Sequence, residues 1–455
     1  MIATLTVIAL AIALGWPIAT RLDPERQWTA RAGEAFLFGA GVLWAITLLL
    51  DVTGLGWARV TLAIAVVVAL AVVRFPLSAV RAALHDDRRA AEHGKRTTEN
   101  GKRTTDNGQR PAENGQRFFA IQHSTFNIQH SRFSLLDLLT LIPIAGYTLL
   151  ATAAAPWEFD YLTDFGLKAR QFFEQGGIDW TYLRGHEHVV SFHPDYPLLL
   201  PLLFADVSIV AGEWTDHWLG LFNVAFGVAL ILVLRAEVAR ERHQAALATF
   251  ILAPLALSPW IGLADGPLTA YITAAVLAIR RGAVTTGAVL LGLAASTKNE
   301  GLSMIVAAAL AMLVAGRARE LVRLWPAVAI PLPWLVLRGV HGLANDLASG
   351  SVGERLTNML AKPRLFLSTL AKYPAGKRWL WLGIAVAFVL RGRAILTRDR
   401  FAVTAALLQF VFYLGAYLTT PHDLEWHIQW SWDRLVSHLA PLFAFVATSA
   451  LLEVE

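Results

Sequence analysis

The 455-residue chain contains no cysteine, which excludes disulfides, thiolate metal sites and cysteine nucleophiles. Charge is scarce as well. Asp, Glu, Lys and Arg make up 16% of the residues, against about 25% in an ordinary soluble domain. The N-terminal stretch MIATLTVIALAIALGWPIATRLDPER lacks the basic start of a cleaved secretory signal, so it is expected to stay as a first membrane span. What is abundant is apolar: 56% of residues are hydrophobic, and the mean hydropathy is +0.50. The net charge of +5 would suggest nucleic acid in a soluble protein. Here Arg and Lys are read instead as markers of cytoplasmic loops, and no nucleic-acid partner is expected.

A span needs about 20 apolar residues. Candidates are 1–19, 34–50, 57–73, 135–154, 218–234, 244–261, 266–280, 283–297, 301–316, 324–340, 377–391, 401–418 and 435–452. The expected fold class is therefore all-α integral membrane, a polytopic bundle of about 13 transmembrane helices. The basic loops after residues 20, 74, 235, 280, 317 and 391 are assigned to the cytoplasm. Every other loop then falls outside, provided that Pro197–Gly212 is an interfacial helix and not a span. On this partition the polar stretch 156–213, Asp265, Lys298–Glu300 and Thr419–Arg434 share the external side. Residues 1–75 are taken as N-terminal spans, 76–133 as a cytoplasmic insert and 134–455 as the main bundle. The insert holds a basic repeat, GKRTTEN, GKRTTDN, GQRPAEN, with no apolar seam, and is expected to be disordered.

Five polar islands interrupt the apolar runs. Asp160 and Asp164 lie four residues apart and share a face if the segment is helical, with Lys168 next in the row. Either carboxylate suits a general base; the bland alternative is a helix lying among lipid headgroups. His186, His188, His193 and Asp195 are scattered possible ligands for a divalent metal, but their spacing matches no standard zinc pattern. Asp265, before Gly-Pro, is a helix-start residue or a second cleft carboxylate. Lys298, beside Asn299 and Glu300, suits a lipid-linked phosphate or a self-neutralising pair. The stretch TPHDLEWHIQWSWDR packs Trp426, Trp430 and Trp432 with His422, His427 and Arg434. Tryptophan faces stack on sugars or anchor at headgroups, and an arginine grips phosphate bidentately.

Lined up, these elements resemble the GT-C superfamily of integral-membrane glycosyltransferases, which includes protein O-mannosyltransferases and bacterial lipid A aminoarabinose transferases. The likeness is greatest to bacterial dolichyl-phosphate-mannose-protein mannosyltransferase-like members. Asp160 is followed eight positions later by Lys168-Ala169-Arg170; then come His193-Pro194-Asp195-Tyr196-Pro197, Ala264–Leu268, Thr297–Gly301, and Asp423–His427 with Asp433-Arg434. The resemblance implies an inverting transfer of a sugar from a polyprenyl-phosphate donor to a hydroxyl of a glycan, lipid or protein. It implies Asp160 as base, with Asp164 as rival, and Asp265 supporting the acceptor or a metal. Lys298, Arg434 and Lys168 would hold the donor phosphate. His193, Asp195, Tyr196, Glu300, Trp426 and His427 would line the cleft. The sequence assigns no cofactor, and a divalent metal is the one candidate. The chain departs from the family in placing three spans and an insert before the acidic loop. It also has Glu158-Phe159-Asp160 where Trp-Asp is common. The implied location is the bacterial inner membrane, with the site facing outward. The rival function is a transporter or flippase for a lipid-linked saccharide.

Overall fold

A computed structural model describes residues 1–74, 134–185, 193–238, 242–343, 352–373 and 376–452. All of the 76–133 insert, together with His186 and His188, lies outside the described residues. Among the described residues the fold is all-α. In chain order the helices are α1 (Ile2–Leu22), α2 (Trp28–Val52), α3 (Arg59–Arg74), α4 (Leu135–Ala153), α5 (Gly166–Gln175), α6 (Trp180–Arg184) and α7 (Leu199–Ala211). They continue with α8 (Gly220–Val238), α9 (Arg242–Ala256), α10 (Asp265–Arg280), α11 (Val284–Ala295), α12 (Glu300–Val314), α13 (Trp325–Ala329) and α14 (Leu332–Val340). The last five are α15 (Val352–Ala361), α16 (Pro363–Lys372), α17 (Arg378–Arg398), α18 (Arg400–Thr419) and α19 (Leu424–Leu452).

Seven of these helices are long and apolar enough to cross a membrane: α1, α2, α4, α8, α17, α18 and α19. An eighth span results if Ala318–Ala329 and Leu332–Val340, bent by 48°, count as one. The chain is thus a multi-pass membrane protein, but the expected bundle of about 13 spans is overturned. The reason is helix length. The apolar runs at 57–73, 244–261, 266–280, 283–297 and 301–316 fold as helices of 16, 15, 16, 12 and 15 residues. At 1.5 Å per residue these reach about 18–24 Å, short of the roughly 30 Å hydrocarbon core. Gly282 and Gly316 help end two of them, each in the left-handed region (φ 95° and 75°) that a side chain disfavours. Apolar composition runs on through such turns, so a hydropathy scan overcounts.

The expected interfacial helix at Pro197–Gly212 is also corrected. Helix α7 is too short to span, but Leu199 through Ile209 are all buried, so it sits inside the bundle and not on a membrane surface. The division at residue 75 marks no structural boundary either. Helix α2 is built into the main bundle: Gly33 packs against the Ala229 backbone of α8, and Tyr271 of α10 donates to the Leu37 carbonyl at 2.9 Å.

Local signals explain several helix ends and contacts. Ser134 and Asp137 form a reciprocal capping box that starts α4. Helices α1 and α2 are antiparallel neighbours joined by a short link. Their small residues, Ala11 and Gly15 facing Ala35 and Gly39, bring the two backbones into contact. The exposed flanks are apolar, as on α4 with Leu138, Leu141 and Ile142, which suits lipid contact. Helix α10 is the opposite case, buried from Asp265 to Ile279.

Helix α10 connects two polar centres. At its C-terminal end Arg281 bonds Asp23 (3.1 Å), Glu34 (3.0 Å) and Glu237 (2.8 Å). Arg26 joins Glu34 and Glu237 at 3.2 and 2.6 Å, and Arg280 pairs with Asp399. These residues belong to the basic loops that the sequence placed together on one side. Asp265, at the N-terminal end, belongs to the other set.

Candidate functional site

The second centre gathers around Arg434, on the stripe of α19 that also carries His427 and His438, seven residues before it and four after. Its Nη2 and Nε donate to the two carboxylate oxygens of Asp265, at 2.7 and 3.2 Å. Its Nη1 donates to Asp160 Oδ2 at 2.7 Å. One guanidinium therefore joins two carboxylates that lie 105 positions apart in sequence. Asp265 sits in the first turn of α10, where the unpaired backbone N–H groups favour a negative charge. It is 1% exposed and has two further partners. Lys298 Nζ lies 3.3 Å from its Oδ1, and His438 Nε2 lies 2.8 Å from the same atom. Lys298 also reaches Glu300 Oε1 at 3.0 Å, in the first turn of α12.

The centre holds four carboxylates, Glu158, Asp160, Asp265 and Glu300, against the cations Arg434 and Lys298. Glu158 feels this directly: partial burial pushes its carboxyl above the usual range, and the nearby Arg434 only partly offsets that. The two aspartates differ in hold. Asp265 is buried and grips Arg434 with both oxygens. Asp160 has a side chain 21% exposed and a single bond to the same guanidinium. An incoming anion therefore displaces Asp160 more readily than Asp265.

His438 was not singled out from the sequence. It lies within the apolar stretch LVSHLAP, where a lone histidine reads as core. The available signal was its place one turn beyond Arg434, inside a span. Its other ring nitrogen, Nδ1, lies 3.2 Å from the Tyr413 hydroxyl. With the Tyr413 O–H donating to Nδ1, Nε2 carries the proton toward Asp265. Replacing His438 by Ala is expected to cost about 1–3 kcal/mol, since Asp265 loses its shortest Oδ1 donor and the buried Tyr413 hydroxyl loses its acceptor on the imidazole. The unfolding midpoint checks this, and His438→Gln should recover part of the loss through its amide N–H.

The remaining expected residues form a separate buried cluster. Asp164 and Lys168 pair at 2.6 Å, their side chains 1% and 0% exposed. Lys168 Nζ donates to the His193 carbonyl at 2.5 Å, and the His193 ring stacks on Tyr196 at 4.4 Å. Asp195 Oδ2 accepts from Asn299 Nδ2 at 2.7 Å, and the Asp195 carbonyl accepts from Trp334 Nε1 at 3.3 Å. The geometry gives these residues a positioning task. They tie Lys168 to His193, and Asp195 to the turn that carries Lys298 and Asn299. Asp164 and Lys168 are each other's partners in the interior, so neither the rival base nor the third phosphate ligand is placed for that role. Trp426 is half exposed, and His427 Nδ1 bonds Thr420 Oγ1 at 2.9 Å; both lie about 10 Å or more along α19 from Arg434. Among the described residues no group of three His, Asp or Glu side chains is arranged to hold a metal ion.

No protein-family model, curated protein or solved structure matches this chain.

Proposed function

We propose that this centre transfers a sugar from a polyprenyl-phosphate donor to an acceptor hydroxyl, with inversion, at the external face of a bacterial inner membrane. The observation that carries the proposal is the shared Arg434. It joins a loosely held carboxylate, Asp160, to a buried one, Asp265, with Lys298 alongside. A donor phosphate competes with Asp160 for Nη1 of Arg434. Binding would then do two things together: it places the phosphate on the cations, and it frees the Asp160 carboxylate to accept a proton.

The chemistry balances on these groups. The acceptor oxygen bonds to the anomeric carbon as its proton passes to Asp160. The bond from that carbon to the phosphate oxygen breaks, and its electron pair leaves with polyprenyl phosphate. The phosphate gains one negative charge, next to Arg434 and Lys298. Fixed donors aimed at a developing charge commonly lower the barrier of such steps more than any other group does. Asp265 acts by orienting Arg434, and His438 by orienting Asp265.

The transporter reading predicts charges near mid-membrane on broken helices; the cations here sit with the end of α10. The test uses purified protein and a panel of polyprenyl-phosphate sugars, with release of polyprenyl phosphate measured. Asp160→Asn is expected to slow release by about 10²–10⁴, the usual share of a general base. Asp164→Asn is expected to lower the unfolding midpoint with far less effect on turnover per folded molecule. Full release by Asp160→Asn would overturn the assignment of the base. Movement of lipid-linked sugar across liposomes with no release from any donor would overturn the enzyme reading in favour of transport.

A further inference from the structure

An apolar groove of about 880 Å³ runs along α2, bounded by α11, α13 and α14. That volume is in the range of ligand pockets, roughly 300–1,000 Å³. Eighteen residues line it and none is charged; Leu49, Val52, Leu332 and Val336 form an exposed rim. Its α2 wall extends from Phe38 to Val52, about 21 Å at the helical rise, enough for one chain stretched through a leaflet of roughly 15 Å. Such a surface inside a membrane protein faces hydrocarbon.

The groove has a charged head. Val52 and Leu337 mark the end nearer the Asp265 side of the bundle. Next to Leu337, Arg338 lies 3.7 Å from Asp195, a loose contact, since that carboxylate already takes a shorter bond from Asn299. His341 caps α14 and stacks on Trp180 at 3.8 Å. Arg184, exposed at the end of α6, is near enough that its charge adds to burial in holding the His341 imidazole below its ordinary value. The acid on this rim, Asp51, accepts the Ile178 backbone N–H at 2.6 Å. Arg338, beside Asp195, and Arg184, whose Nε donates to the Trp180 carbonyl at 3.1 Å, therefore lie near the end of a purely apolar channel without being among its lining residues.

We propose that this groove binds an anionic glycerophospholipid, one acyl chain along α2 and the phosphate between Arg338 and Arg184. The groove is distinct from the transfer centre. None of its lining residues comes from α10, α12, α18 or α19, the helices that surround Arg434 and Lys298. The proposal therefore does not rest on the glycosyl-transfer reading.

The test uses the full chain in nanodiscs doped with phosphatidylglycerol that carries a photoreactive diazirine on one acyl chain. A phosphatidylcholine analogue serves as the neutral comparison. Label is expected to concentrate on the 38–52 and 329–337 segments, several-fold above the lipid-facing surface of α4. Ala45→Phe fills the groove from an exposed position and should remove most of that label with the unfolding midpoint unchanged. Arg338→Gln should reduce labelling by the anionic lipid several-fold and bring it to the phosphatidylcholine level. Equal labelling by both lipids, label spread evenly onto α4, or label unaffected by Ala45→Phe or Arg338→Gln would each overturn the proposal. So would displacement of the label by polyprenyl phosphate but not by unlabelled phosphatidylglycerol.

Discussion

Asp265→Ala is expected to yield little folded protein and no detectable transfer. The carboxylate is buried and has three partners: Arg434 at 2.7 Å, Lys298 at 3.3 Å and His438 at 2.8 Å. Removing it leaves two cations facing each other in the interior with Asp160 and Glu300 as their remaining acids. Deleting one partner of a buried ion pair costs about 3–5 kcal/mol, because the other charge stays desolvated. The check is the monodisperse fraction after solubilisation, together with the unfolding midpoint. Asp265→Asn combined with Lys298→Met takes away one charge of each sign and should restore much of the stability. On the proposed function it should restore no activity, since one of the two cations assigned to the donor phosphate is gone. A wild-type midpoint for Asp265→Ala would show that the network contributes nothing to the fold.

Gly39→Leu is expected to disrupt the α1–α2 pair outright. A Cβ at Gly39 lands on the carbonyl oxygen of Ala11, and one at Gly15 lands on that of Ala35. The obstacle in both cases is backbone, which cannot rotate aside. Overpacking ordinarily costs about 1–3 kcal/mol, and this contact exceeds the ordinary case. Both helices must separate, and α2 carries Thr47, which donates to the buried Asp206 at 2.7 Å. The damage therefore spreads from α1 into α7. Gly146→Leu is the control, since nothing lies near its Cβ position. The midpoint should fall steeply for Gly39→Leu and stay in place for Gly146→Leu; equal behaviour would remove the close-contact argument.

The centre was more legible in the sequence than the fold. Asp160, Asp265, Lys298, Glu300 and Arg434 stood out as polar residues between apolar runs, and the structure brings all five together. The same contrast misled at Asp164 and Lys168. A spacing of four puts two charges on one face, but it does not say whether that face meets a substrate or pairs with itself. His438 was hidden because its neighbours are apolar. Helix lengths were the least legible. Hydropathy records whether residues avoid water, and a 12-residue helix buried in protein avoids it as well as a 21-residue span does. Residues 283–297 illustrate this: their helix ends at Ala295, ahead of the Lys298 turn.

The shortness of α10 has a further meaning for its charged end. A 16-residue helix rises about 24 Å, against the roughly 30 Å of hydrocarbon around the bundle. If Arg281 lies at one boundary and α10 runs along the membrane normal, Asp265 is recessed about 6 Å below the other. A recess ringed by protein shields its ions from the surrounding electrolyte. Bulk salt at 0.1 M damps exposed charges over about 10 Å but acts far more weakly on buried ones. The strength of the Arg434 contacts is therefore a property of the bundle, largely independent of the ionic strength outside it.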